Sequence, residues 1–192
     1  MSKNTILSIA LAVCIIAAIA VVIYVNLPSD NPKPVEKDIL TITYNGIQYN
    51  YSLSELKEME AHTDSGRMIK LSMLPEIVIT DSHNYTGTNM TTLLQQLSVT
   101  EDNYTLSVHS YDGWISNYTY SMVHGEVSVY NETGSIIPNA TAYMLITYAE
   151  DGIDYTNESG PCQLRITYVN NHCITSSKLW AKFVKEIEII TE

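Results

Sequence analysis

Twenty consecutive residues, Ile6 to Val25, contain no charged residue, no proline and no glycine. As a helix rising about 1.5 Å per residue, such a run matches the roughly 30 Å hydrocarbon core of a bilayer. Three readings compete for it. A cleaved signal peptide has a shorter apolar stretch and a small-x-small cleavage site, whereas Val25 is followed by Asn26-Leu27-Pro28-Ser29. A lipoprotein start is suggested by Leu11-Ala12-Val13-Cys14, but Val13 is bulky and the apolar run continues well past Cys14. The length favours a membrane-spanning anchor within residues 1–27, with the bilayer contact over 6–25. Residues 28–38 follow as a linker with three prolines, alternating charges and no apolar run. Residues 39–192 are long enough for one domain with a real core.

Lys3 lies on one side of the run and Lys33 and Lys37 on the other, so basic residues do not orient it cleanly. The Asn-x-Ser/Thr sequons do. There are eight, at Asn50, Asn84, Asn89, Asn103, Asn117, Asn131, Asn139 and Asn157, against roughly 2.7 from composition alone. The competing explanation is a surface rich in Ser, Thr and Asn. The excess favours a glycosylated outer face, with the anchor in the cell membrane as a single pass and the C-terminal domain extracytoplasmic.

The formal net charge is −11. Acidity argues against nucleic acid or anionic lipid as partner, because both demand concentrated positive charge. Of the three cysteines, Cys162 and Cys173 fall in the outer domain. In an oxidising compartment such a pair predicts a disulfide, with two buried free thiols as the alternative.

Ile39 to Tyr44 alternates, Asn45-Gly46 is a two-residue hairpin signal, and Ile47 to Tyr51 returns. Ser52 with Glu55 three residues on predicts a capping box opening a helix. Strands are predicted over 67–74 and 77–81, then a helix over 90–97 and a strand over 104–109. Asp112-Gly113 reads as a turn with Trp114 packed behind it, followed by extended chain to Tyr120. Further strands are predicted over 126–130, 142–148, 163–169 and 184–190, with a turn at Asp151-Gly152. A short helix from Ser176 or Ser177 through Lys182 would set Lys178 and Lys182 on one face. Three helices among many strands predict an α+β domain with a mixed sheet.

Five pieces occur in order: Tyr85-Thr86-Gly87-Thr88-Asn89-Met90 through Leu94; Val108 to Asp112-Gly113-Trp114; Tyr143 to Ile153; Gly160-Pro161 with Leu164-Arg165-Ile166; and Ser176 to Ile189. This series resembles the molybdopterin-binding domain of the sulfite oxidase family, most closely its short membrane-anchored or secreted prokaryotic and archaeal members. The resemblance covers roughly residues 39–190. It implies a mixed-sheet fold and a cavity bordered by Tyr85, Gly87, Asp112, Gly113, Trp114, Gly160 and Lys178.

The departures bear on chemistry. The family holds molybdenum through one cysteine thiolate upstream of the aromatic-Gly motif, yet there is no cysteine between Cys14 and Cys162, and hydroxyl or imidazole groups do not replace soft thiolate ligation. The family's Arg-Asn-His signature is missing, Arg165 is out of register with its phosphate-binding arginine, and Leu179 rather than lysine precedes Trp180. The expectation is therefore no molybdopterin and no catalytic residues. His62, His83, His109, His124 and His172 are dispersed, so no metal site is predicted. The chain reads as a non-catalytic module for a small ligand or an envelope protein. A molybdenum oxidoreductase subunit and a structural cell-envelope glycoprotein are the alternatives.

Overall fold

The computed structural model describes residues 36–70, 77–155 and 164–191. The run over 6–25 lies outside them, as do residues 28–35 of the linker. Among the described residues no helix is long and apolar enough to cross a membrane.

In chain order the strands are β1 (Asp38–Tyr44), β2 (Ile47–Ser52), β3 (Ala61–Lys70), β4 (Val78–Ile79), β5 (His83–Asn89), β6 (Tyr104–Ser110) and β7 (Ile115–Thr119). They continue as β8 (Val129–Tyr130), β9 (Tyr143–Glu150), β10 (Ile153–Asp154), β11 (Arg165–Val169), β12 (Cys173–Ser176) and β13 (Val184–Thr191). Among the described residues three α-helices interrupt them: α1 (Leu53–Glu58), α2 (Met90–Gln96) and α3 (Tyr120–Val123).

This corrects the α+β expectation. The helices have six, seven and four residues, too short to form a layer, and the architecture is mostly β. A capping box located the first helix, but a cap marks where a helix begins and says nothing of how far tertiary packing lets it run.

One sheet has the order β2-β1-β13-β6-β7. Asn45 and Gly46 both take positive φ, 51° and 77°, the geometry that a two-residue hairpin turn needs to match strand twist. β1 then alternates, with Leu40, Ile42 and Tyr44 buried. β13 lies parallel to β1, with Ile42 opposite Ile187, and antiparallel to β6, with Ile187 opposite Val108. The other parity, including Thr41, Thr43, Glu188 and Asn117, faces outward without full burial.

The second sheet runs β10-β9-β5-β3-β12-β8, with β11 also on β9 and β4 on β3. A single core draws Leu40, Ile42 and Ile187 from the first sheet and Met144, Ile146, Ile166 and Tyr168 from the second. Leu56 of α1 and Met90, Leu93 and Leu94 of α2 join it. α1 starts in the predicted capping box, with Ser52 accepting from the Glu55 N–H and Glu55 accepting from the Ser52 N–H at 2.7 Å.

Several local expectations change. β3 begins at Ala61, six residues before the predicted strand, because His62 to Ser65 pair with β5 despite being polar. β12 was not legible. The strand over 126–130 shrinks to β8, and the stretch before Tyr120 ends in α3. The helix predicted through Lys182 is one 3-10 turn, Ser177–Leu179, capped by Ser176, so Lys178 and Lys182 do not share a helix face.

Candidate functional site

Tyr85-Thr86-Gly87, read as the loop entering a helix, forms a central strand between β3 and β9. Tyr85 is only 3% exposed, and its ring meets Trp180 edge-on at 5.1 Å in a small second core with Leu145 and Val169. Burial, helped by the nearby Glu150 carboxylate, pushes its hydroxyl pKa far up. Gly87 has no room for a side chain: a Cβ would stand 2.3 Å from the Ile146 carbonyl oxygen. The glycine serves the close approach of β5 to β9.

Asp112-Gly113-Trp114 forms the predicted turn, between β6 and β7. The Trp114 N–H donates to Asp112 Oδ1 at 3.1 Å, and Gly113 has φ 84°. Trp114 is not core, however. It is 66% exposed and its indole N–H donates to Ser116 Oγ at 3.1 Å. A hairpin tip at the end of a sheet has nothing above it to cover a large ring. Lys178 is exposed beside a depression of about 360 Å³ that Met122, Glu126, Tyr130 and Leu179 also border. Gly160 and Cys162 lie outside the described residues. Cys173, the other half of the predicted disulfide, is buried, and its Sγ lies 3.5 Å from the Tyr168 carbonyl oxygen.

These residues do not fit the group that the resemblance implies. Arg165, nearest to a phosphate-binding arginine, donates to Glu150 Oε2 at 2.7 Å and lies over the Tyr155 ring at 4.2 Å. Tyr155 also donates to that carboxylate, at 3.0 Å. The guanidinium is thus already neutralised and stacked. Burial pushes the Cys173 thiol up to about 12, so it is a poor thiolate donor. Among the described residues no group of three His, Cys, Asp or Glu side chains is placed to hold a metal ion.

The densest polar constellation surrounds the β9–β10 turn. His83 Nδ1 is 2.7 Å from Asp151 Oδ2, and the Asn84 N–H donates to Asp151 Oδ1 at 2.9 Å. The hydrogen bond to Asp151 raises the His83 pKa, with partial burial opposing it and the Glu150 charge adding to it. The bonds from His83 and the Asn84 N–H lower the Asp151 pKa. Each acid here has a partner, which suits a structural latch at a turn better than a reactive group.

A larger depression lies elsewhere. A groove of about 580 Å³ runs between β8 with the loop after it and the turn joining β11 to β12. Its polar lining is Tyr130, Asn131, Glu132, Asn139, Asn170, Asn171 and His172; Val129, Ile137, Cys173 and Ile174 supply apolar surface. Asn170 is held by donating to the Thr141 carbonyl at 3.0 Å, and His172 Nδ1 pairs with Ser82 Oγ at 2.7 Å. Glu132 is ion-paired to Arg67. Asn171 and His172 take positive φ, 42° and 64°, which turns the chain tightly enough for both to line the wall. Sequence reasoning missed this groove. Its one local signal was the run Asn170-Asn171-His172, a set of residue types that tolerate the left-handed region.

Of the sequon asparagines, Asn50, Asn84, Asn103, Asn117, Asn131 and Asn139 are exposed. Asn89 is half-buried and caps α2, its Oδ1 accepting from the Thr91 N–H and hydroxyl at 3.0 and 2.7 Å. Asn157 lies outside the described residues.

Compared with known proteins, the chain matches no family model and no curated protein.

Proposed function

We propose that this chain is a membrane-anchored extracytoplasmic glycoprotein whose folded domain is a non-catalytic binding module, taking a neutral, hydroxyl-rich ligand of carbohydrate type in the groove beside β8. The observation that carries the reading is the lining of that groove. Asn170 and Asn171 bring side-chain amides to the wall, and Tyr130 brings a ring, the combination suited to sugar hydroxyls and their apolar C–H faces. Glu132 is neutralised by Arg67, so the groove does not favour a strongly charged ligand. Burial raises the Cys173 thiol, which disfavours it as a nucleophile.

The location rests on the apolar run over 6–25 and the sequon excess. Protease added to intact cells should remove the outer domain and leave a short membrane fragment that starts at Met1 or Ser2. A mature protein that starts near Leu27 would overturn the anchor. Near-stoichiometric molybdenum and pterin in the purified chain would restore the oxidoreductase reading.

The groove is tested by titrating the detergent-solubilised full chain with neutral oligosaccharides. Tyr130→Ala should weaken binding about tenfold, the effect of losing one stacked ring. Asn131 and Asn139 stand on the rim, so Asn131→Gln and Asn139→Gln, which remove glycans there, should strengthen binding. Saturable binding unaffected by Tyr130→Ala would place the ligand elsewhere.

A further inference from the structure

Among the described residues the sheet β2-β1-β13-β6-β7 ends in two edges without a further strand, β2 and β7. An open edge presents unpaired N–H and C=O groups to any other strand. Proteins commonly guard such edges with charged side chains, proline or bulges. Here Ile47–Ser52 reads Ile-Gln-Tyr-Asn-Tyr-Ser and Ile115–Thr119 reads Ile-Ser-Asn-Tyr-Thr. Neither strand has a charge or a proline, and both are rich in Ile, Tyr and hydroxyl residues of high β propensity. β7 pairs with β6 over five residues without a register shift. By sequence these are adhesive edges.

Each carries one sequon. Asn50 and Asn117 are both exposed. Asn50 lies opposite Thr41 and Asn117 opposite Ser107, on the outward parity of the sheet. The two sequons end alike: Ser52 and Thr119, which complete them, are the residues at which β2 and β7 stop and α1 and α3 begin.

We propose that Asn50 and Asn117 carry N-linked glycans that act as the guards of these two edges and keep copies of the chain from adding strand to strand. A glycan at either site hangs beside the open ladder and occupies the volume that an incoming strand needs, about 4.8 Å away in the plane of the sheet. The inference rests on the extracytoplasmic reading above, because only there are sequons modified.

The test uses the full chain from a glycosylating host. Glycopeptide mass spectrometry should find Asn50 and Asn117 occupied. In detergent, light scattering should show an Asn50→Gln/Asn117→Gln variant self-associating about tenfold more strongly than the parent. An Asn84→Gln/Asn103→Gln variant, which loses as many sequons outside β2 and β7, should match the parent. Because Asn50 also accepts from the Thr41 hydroxyl at 2.9 Å, enzymatic removal of glycans from the unaltered chain provides a second arm and should reproduce the self-association. Equal behaviour of the two double variants, or empty Asn50 and Asn117 beside occupied Asn84 and Asn103, overturns this inference alone. If every sequon is empty, the glycoprotein reading falls with it.

Discussion

The two sheets handle polar residues in opposite ways. In the sheet built on β1 and β13, buried and solvated positions alternate along the strand, and Thr41, Thr43 and Glu188 meet water. In the sheet around β9, Met144 to Ala149 are buried without interruption, as are Ile166 to Val169 of β11. Met144 and Ile146 face the main core, and Leu145 faces the small core of Tyr85, Val169 and Trp180. A strand covered on both faces must satisfy its hydroxyls internally. Thr147 and Thr167 pair at 2.6 Å, and Thr88 donates to the Leu56 carbonyl at 3.0 Å. The half-solvated sheet leaves its outer face open along the strands; in the doubly covered one exposure is confined to strand ends such as Asn84.

The sharpest way to break this contrast is Gly87→Ala. With the Ile146 carbonyl 2.3 Å from the new Cβ, β5 and β9 must part, at a cost of about 3 kcal/mol in urea unfolding. A loss below about 0.5 kcal/mol, the size of an ordinary surface change, would mean that the second sheet is not closely packed there.

Next comes Thr147→Val. It leaves the Thr167 hydroxyl buried without a partner and should cost about 2 kcal/mol, while Thr147→Val/Thr167→Val should be close to neutral. Additive losses in the double-mutant cycle would show that the hydroxyls do not depend on each other.

Ser52→Ala should cost about 1 kcal/mol through its cap. It also removes the sequon at Asn50, so Asn50→Gln serves as the matched comparison. A thermal melt should show the cap loss in Ser52→Ala and not in Asn50→Gln.

The latch at the β9–β10 turn makes stability depend on pH through both a carboxylate and a histidine. The lowered Asp151 contributes stability above the ordinary aspartate value and loses it as pH falls through its folded pKa. The raised His83 contributes fully below its ordinary value of 6.5 and loses that contribution as pH rises through its folded pKa. His83→Gln should therefore flatten the fall in stability above pH 6.5. An unchanged slope in chemical denaturation across that range would remove His83 from the latch. Smallest of all is Trp114→Ser, expected within about 0.5 kcal/mol because most of the ring is in water; a loss above about 2 kcal/mol would mean that Trp114 is packed after all.

The β1–β2 hairpin, the Ser52–Glu55 cap, β6 and β13 were legible because their causes are local. Asn-Gly tolerates positive φ at both positions, a serine reaches an N–H two or three residues on, and a half-buried strand writes its period of two into the sequence. The sequons, too, are local patterns. Tertiary structure alone decided that His62 to Ser65 are strand, since their partners lie in β5, and that Cys173 to Ser176 are strand, since they pair with β3 more than a hundred residues earlier. It also decided that Tyr85 is covered and Trp114 is not, that Arg165 is bound to Glu150, and that the turn at Asn170–His172 stands across a groove from β8. Residue types can mark a turn or a cap, but burial and pairing depend on which distant segment comes to lie alongside, and that is settled only when the sheets assemble.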